Sequence, residues 1–132
     1  MKTFMETPVS EFKSKSGLGR IVAACRNSGA GFRAAWRNEH AFRQEVVVLV
    51  FGIILASALK ISAFERFVLI GVLVFVLCIE LINSALEAVV DRISLERHPL
   101  SKNAKDFGSA AVTLAILLAA GAWIVVLFNR FY

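Results

Sequence analysis

The stretch Phe67–Val90, FVLIGVLVFVLCIELINSALEAVV, decides the fold. It is apolar enough to cross a bilayer, which takes roughly 20 mostly apolar residues, yet it carries Glu80, Asn83 and Glu87. With Ser84 and Asp91 these residues recur at i, i+3, i+4, i+7 and i+11 counted from Glu80. On a helix of about 3.6 residues per turn that spacing gathers them on one narrow face. A charge near the bilayer centre costs about 2.5–3.5 kcal/mol even on a lenient insertion scale. Two glutamates and an asparagine on one face therefore point to a protein interior or a wet cavity, not to lipid. Polar glue between helices would need one Asn or Ser and no carboxylates.

Two further apolar runs flank this one. Val46–Leu59 (VVVLVFGIILASAL) is uncharged until Lys60 and reaches spanning length with Ala41 and Phe42 added, and Phe107–Phe128 carries no charge at all. The expected spans are about 41–60, 64–92 and 106–129. Composition agrees: of 132 residues, 58% are hydrophobic and 19% charged, against about 45–50% and 25% in average soluble domains. A chain this short buries only about 60–70% of its surface in water, so its main solvent is lipid. A soluble two-domain enzyme and a disordered chain are excluded. A membrane barrel is excluded too, because the runs are continuous and do not alternate.

Basic residues orient the spans. Lys2, Lys13, Lys15, Arg20, Arg26, Arg33, Arg37 and Arg43 precede the first, and Arg92, Arg97, Lys102 and Lys105 lie between the second and third; only Lys60, Arg66 and Arg130 fall on the other side. The positive-inside rule places the N-terminus and the 92–106 loop in the cytoplasm. The net charge of +5 reads as a topology signal and an attraction to anionic lipid, with no nucleic-acid partner. Over about 20–38, Ile21, Val22, Cys25, Phe32, Ala35 and Trp36 share one helical arc beside Arg26, Arg33 and Arg37. This predicts an amphipathic helix in the membrane surface, or alternatively a cover for the bundle; Gly29 and Gly31 weaken it. The fold class expected is an all-α membrane protein, a surface helix followed by three transmembrane helices. Residues 1–19 read as a variable tail without the apolar segment of a cleaved signal peptide, and 20–132 as a single membrane domain. Gly17-Leu18-Gly19 reads as linker. Cys25 and Cys78 form no metal or redox motif and read as small buried hydrophobes.

Ionised glutamates at depth need a divalent cation, a shared proton or a basic partner. Glutamate oxygens suit a hard ion such as Mg²⁺, which takes one or two carboxylates plus substrate phosphates. A second source of carboxylates stands just before the first span, in Asn38-Glu39-His40-Ala41-Phe42-Arg43-Gln44-Glu45, and Lys105 with Asp106 closes the cytoplasmic loop. Carboxylates for metal, basic residues for phosphates and a lipid-facing slot are the parts of phosphoryl transfer. A Walker A sequence, and the soluble-kinase catalytic loop with its Asp-Phe-Gly motif, are read as missing. Phosphates would be met by Mg²⁺, Lys105 and arginines at the membrane surface.

NEHAFRQE (Asn38–Glu45), ELINSALEAVVDR (Glu80–Arg92) and AKDFGSAAV (Ala104–Val112) together resemble the prokaryotic diacylglycerol kinase family, over nearly the whole chain from Arg20. The resemblance implies a homotrimer of three-span subunits in the bacterial inner membrane. It implies transfer of the ATP γ-phosphate to the hydroxyl of diacylglycerol, giving phosphatidic acid, with Mg²⁺ as cofactor. Carried over, the family pattern makes Glu80 the general base and Glu39 and Glu87 the metal ligands, which also meet the nucleotide. Lys105 and Asp106 match the nucleotide-binding pair. Arg20, Asn27, Glu96, Arg97 and His98 fall at nucleotide-contacting positions. Asn83 matches a polar active-site residue and Ser109 a lipid-contacting one. Asn27 stands where an aromatic ring is expected and Arg97 where a tyrosine is; both bear on nucleotide stacking, not on the phosphate chemistry.

Physical reasoning adds to this pattern. Glu80 lies deeper in the apolar run than Glu87 and is the more desolvated carboxylate, as suits a base. Glu87 is two turns closer to the cytoplasm. Asp91 is expected to pair with Arg92 or a neighbouring subunit's arginine, His40 to be solvated, Gln44 to help hold substrate, and Glu45 to cap or pair. Three helices cannot enclose a nucleotide and a lipid, so oligomerisation supplies walls, and Glu39 is expected to complete a site on an adjacent chain. The rival readings are an undecaprenol kinase and a cation- or proton-coupled carrier with Glu80 and Glu87 as relay, or a non-enzymatic scaffold. The full NEHAFRQE and SALEAVVDR strings favour the diacylglycerol branch. The paired repeats and broken helices of carriers are missing.

Overall fold

The computed structural model describes residues 17–93, 96 and 98–132. Four helices follow one another: α1 (Leu18–Asn38), α2 (His40–Ala58), α3 (Ala63–Ile93) and α4 (Pro99–Phe131). The last three are each long and apolar enough to cross a membrane, so the all-α class with three spans holds. α1 starts directly after Gly17, whose φ of +70° is a conformation glycine adopts without strain; the expected linker is thus already helix from Leu18. α4 starts well ahead of residue 106. His98 caps it, Nδ1 accepting from the Leu100 amide at 3.2 Å, with Pro99 at the first helical position, where its missing N–H is no loss. Most of the expected 92–106 loop is therefore helix.

The connections are held by side chains that answer unpaired backbone groups at helix ends. Between α1 and α2 only Glu39 leaves the helical conformation (φ −106°, ψ 113°). Arg43 spans the break: Nη1 donates to the carbonyls of Trp36 (2.8 Å) and Arg37 (3.2 Å), and Nη2 donates to His40 Nδ1 at 2.8 Å. His40 is thereby a partner of Arg43 as well as exposed. At the α2–α3 turn Ser62 and Glu65 form a capping box, the Ser62 amide donating to Glu65 Oε2 (2.8 Å) and the Glu65 amide to Ser62 Oγ (3.1 Å). Arg66 closes the end of α2 through Nε to the Ala56 carbonyl (2.9 Å) and Nη2 to that of Leu59 (3.3 Å).

α3 packs against both α2 and α4. Ala56, Leu69, Val76, Ala115 and Ala119 are buried between them, and the small alanines let backbones approach where lipid provides no hydrophobic drive. Two glycines mark the closest approaches. A Cβ on Gly52 would overlap Leu73 Cδ1 and stand 3.3 Å from Trp123 Cζ2, and one on Gly108 would overlap Asn83 Oδ1. Trp123 Nε1 donates to the Leu69 carbonyl at 3.2 Å. Large apolar side chains, among them Phe51, Phe67, Leu114 and Phe128, face outward, as a surface bathed in lipid or covered by other chains requires. Cys25 and Cys78 are exposed, contrary to expectation, because in a bilayer an apolar residue has no reason to prefer the interior. The boundary between the two compact units of the chain falls between Arg33 and Ala34, inside α1. On the N-terminal part of that helix Leu18, Ile21, Val22 and Phe32 are exposed.

Candidate active site

Glu80 is 5% exposed, the one buried charged residue among the described residues. From Ala63, where α3 leaves the charged α2–α3 turn, Glu80 lies about 26 Å along the helix at 1.5 Å per residue. The hydrocarbon layer is about 30 Å thick. Glu80 thus sits near the far edge of that layer rather than at its centre, and Glu87 lies about 10 Å further out. The polar face is placed where polar groups are tolerable.

The short α2–α3 turn makes these helices antiparallel, which returns the polar end of α3 to the start of α2. Glu80 there feels the charges of Glu87 and Glu39, and Glu45 feels that of Glu80. Asn83 Nδ2 donates to Glu87 Oε1 at 3.2 Å. Glu45 Oε2 and Asn83 Oδ1 are buried without a partner. Among the described residues the ion pairs are Lys102–Asp106 and Lys105–Asp91; Lys105 also feels the charge of Glu87, without an ion pair to it. Among the described residues no ion pair neutralises the like charges of the four glutamates, an arrangement that calls for an outside counter-charge. Carboxylate oxygens are the hard donors that fit Mg²⁺. No group of three His, Cys, Asp or Glu among the described residues is placed to hold a metal ion, so an ion here would complete its shell with phosphate oxygens and water. Within one chain Glu80 feels the charge of Glu39.

Other expected residues are placed differently from the simplest reading. Lys105 Nζ donates to Asp91 Oδ1 at 2.6 Å, so within the chain Asp91 pairs with Lys105 and not with Arg92. The early start of α4 explains this, because it carries Lys105 on a helix packed beside α3. Asp106 is bonded by Lys102, one turn earlier, and not by Lys105; neighbouring residues on a helix do not face each other. Asp106-Phe107-Gly108 spells the metal-binding tripeptide of soluble protein kinases, but it lies inside α4 and not on a loop, so the spelling is incidental. His98 spends Nδ1 on the α4 cap. Glu96 is exposed between α3 and α4, and Arg97 lies outside the described residues. Gln44 and Ser109 are exposed on α2 and α4, and the Ser109 carbonyl accepts from Thr113 Oγ1 at 3.0 Å. Arg20 and Asn27 are exposed on α1.

Glu45 is the residue that sequence reasoning undervalued: it neither caps α2 nor pairs. It heads a groove of about 390 Å³ between α2, α3 and α4, whose remaining lining is Val48, Phe51, Gly52, Leu55, Leu73, Val76, Ile116, Ala119, Ala120 and Trp123. An acidic cluster at the mouth of an apolar slot suits a molecule with a polar head and an alkyl tail.

The family model described as prokaryotic diacylglycerol kinase matches residues 26–127. The Diacylglycerol kinase of Pseudomonas aeruginosa is 52% identical over 118 residues, covering 89% of this chain and 96% of the relative. That of Escherichia coli K12 is 47% identical over 116 residues, covering 88% and 95%. That of Haemophilus influenzae is 39% identical over 113 residues, covering 86% and 96%. The carboxylates of α2 and α3 and the Lys105–Asp106 turn of α4 all fall inside the matched stretch, and the chain belongs to the prokaryotic diacylglycerol kinase family.

Proposed function

We propose that this chain transfers the γ-phosphate of ATP to the free hydroxyl of diacylglycerol, giving phosphatidic acid, at the cytoplasmic face of the bacterial inner membrane. The observation that carries the reading is the cluster of Glu39, Glu45, Glu80 and Glu87, none of them in an ion pair among the described residues, at the head of an apolar groove. The groove takes an acyl chain and leaves the glycerol hydroxyl at the acidic end. Glu80, the most buried of the four, accepts the hydroxyl proton as the oxygen attacks. Glu39 and Glu87 hold Mg²⁺, which when bound neutralises phosphate charge. Asn83 orients Glu87. Lys105 exchanges Asp91 for phosphate oxygens, and Asp106 stands beside it on the nucleotide side. Arg20, Asn27, Glu96, Arg97 and His98 contribute to holding the nucleotide, and Gln44 and Ser109 to holding the lipid. The acting assembly is a homotrimer, in which neighbouring chains wall off nucleotide and lipid.

The test is radiolabel transfer from ATP to purified diacylglycerol and undecaprenol, with and without Mg²⁺, by the unmodified chain and Glu80→Gln. Label is expected in diacylglycerol, dependent on Mg²⁺, and reduced about 10²–10⁴-fold by the substitution, the range for a general base. Label confined to undecaprenol, or transfer indifferent to Glu80→Gln, overturns the reading.

A further inference from the structure

Asn83 is half-buried on α3 and its carboxamide is held from both ends. Nδ2 donates to Glu87 Oε1 at 3.2 Å, while Oδ1 is buried without a partner. Only the NH₂ end of the amide can donate to a carboxylate, so chemistry settles which way the group points. Across from Oδ1 stands Gly108 of α4. A Cβ at that position would overlap Oδ1 and lie 3.2 Å from Cγ and 3.8 Å from Cβ of Asn83. The glycine hydrogen that takes the place of Cβ therefore faces the oxygen, a weak contact typical of tightly packed helices. A buried acceptor without a donor is uncommon. Here it follows from keeping the other end of the amide on Glu87.

We propose that Gly108 is a positioning residue, which keeps the Asn83 carboxamide turned toward Glu87 and so fixes the carboxylate that meets the cation. The proposal rests on the role given to Glu87 above. A methyl group at 108 meets the Asn83 side chain first, Oδ1 before Cγ and Cβ, so the fold accommodates it by rotating Asn83 aside. That rotation takes Nδ2 off Glu87. Among the described residues the nearby lysines are paired, Lys105 with Asp91 and Lys102 with Asp106; Lys105 feels the charge of Glu87 but does not replace the directed hydrogen bond that Asn83 gives that carboxylate. Gly108→Ala thus separates folding from function.

Four full-length chains decide the matter: unmodified, Gly108→Ala, Asn83→Ala and the double variant. For each, the melting temperature is read without ligand and with Mg²⁺ alone, and KM and kcat are read for Mg·ATP. Gly108→Ala is expected to melt as the unmodified chain does, to lose most of the Mg²⁺-induced shift, and to raise KM for Mg·ATP about 10–100-fold, the range for losing an outer-shell partner of a metal ligand. Adding it to Asn83→Ala should change none of these further. The proposal is overturned if the two substitutions act independently, if the loss follows only the fraction of folded protein, or if Mg²⁺ gives the unmodified chain no shift. Should no phosphate be transferred to any lipid, the kinase reading falls, while the Mg²⁺-induced shift still decides whether 108 acts through Asn83.

Discussion

Lys105 and Asp91 form an ion pair with side chains 38% and 52% exposed. Pairs this open contribute little to stability because water and salt screen them, so phosphate oxygens can take the lysine from Asp91 easily. Asp91→Asn is therefore expected to leave the melting temperature nearly unchanged and to lower KM for Mg·ATP by a few-fold, whereas Lys105→Ala raises it. A steady-state titration of Mg·ATP checks both, and a raised KM in Asp91→Asn would mean that Asp91 holds the lysine in its working position instead. Residues of α3 were legible from spacing alone, since Glu80, Asn83 and Glu87 lie on one helix and need no knowledge of their neighbours. Glu45 and the Asp91–Lys105 pair were not. Their roles exist only once α2 and α4 are laid against α3, and no local pattern encodes that juxtaposition.

Helix lengths go beyond what the apolar runs disclose. α3, with 31 residues, agrees with the span expected at about 64–92, but α4, with 33, starts at Pro99, ahead of the one expected at about 106–129, and its extra turns are polar, so a hydropathy pattern stops before that helix does. The stop and start signals were nonetheless in the letters: Ser62-x-x-Glu65 is a capping box, and His98-Pro99 is a cap followed by the residue best suited to a first turn. Close packing between helices is less readable, because Gly29 and Gly31 look like Gly52 in sequence, yet only Gly52 faces a neighbouring helix in contact distance. A larger residue there must displace Leu73 and crowd Trp123. Gly52→Leu is expected to destabilise the α2–α3 packing by about 1–3 kcal/mol, the usual range for overpacking. Thermal unfolding in detergent micelles checks this, and an unchanged transition would show that Leu73 has another rotamer to adopt.

Seen whole, the protein is apolar on its outside as well as its inside, with the acidic cluster at one end of the bundle. Glu39 and Glu80 belong to the same cluster within one chain, which bears on how an assembly of chains would share its sites. Mixing inactive Glu39→Gln and Glu80→Gln chains before reconstitution is expected to restore part of the activity, as measured by label transfer to diacylglycerol. No recovery at all would place Glu39 in the service of its own chain. Net charge and apolar content sufficed for the class of molecule; the groove did not announce itself, since its lining comes from three helices and has no motif. That groove carries its own optical gauge. The indole of Trp123 forms part of its wall and is tethered to the Leu69 carbonyl, so its emission colour depends on whether solvent or an alkyl chain fills the space beside it.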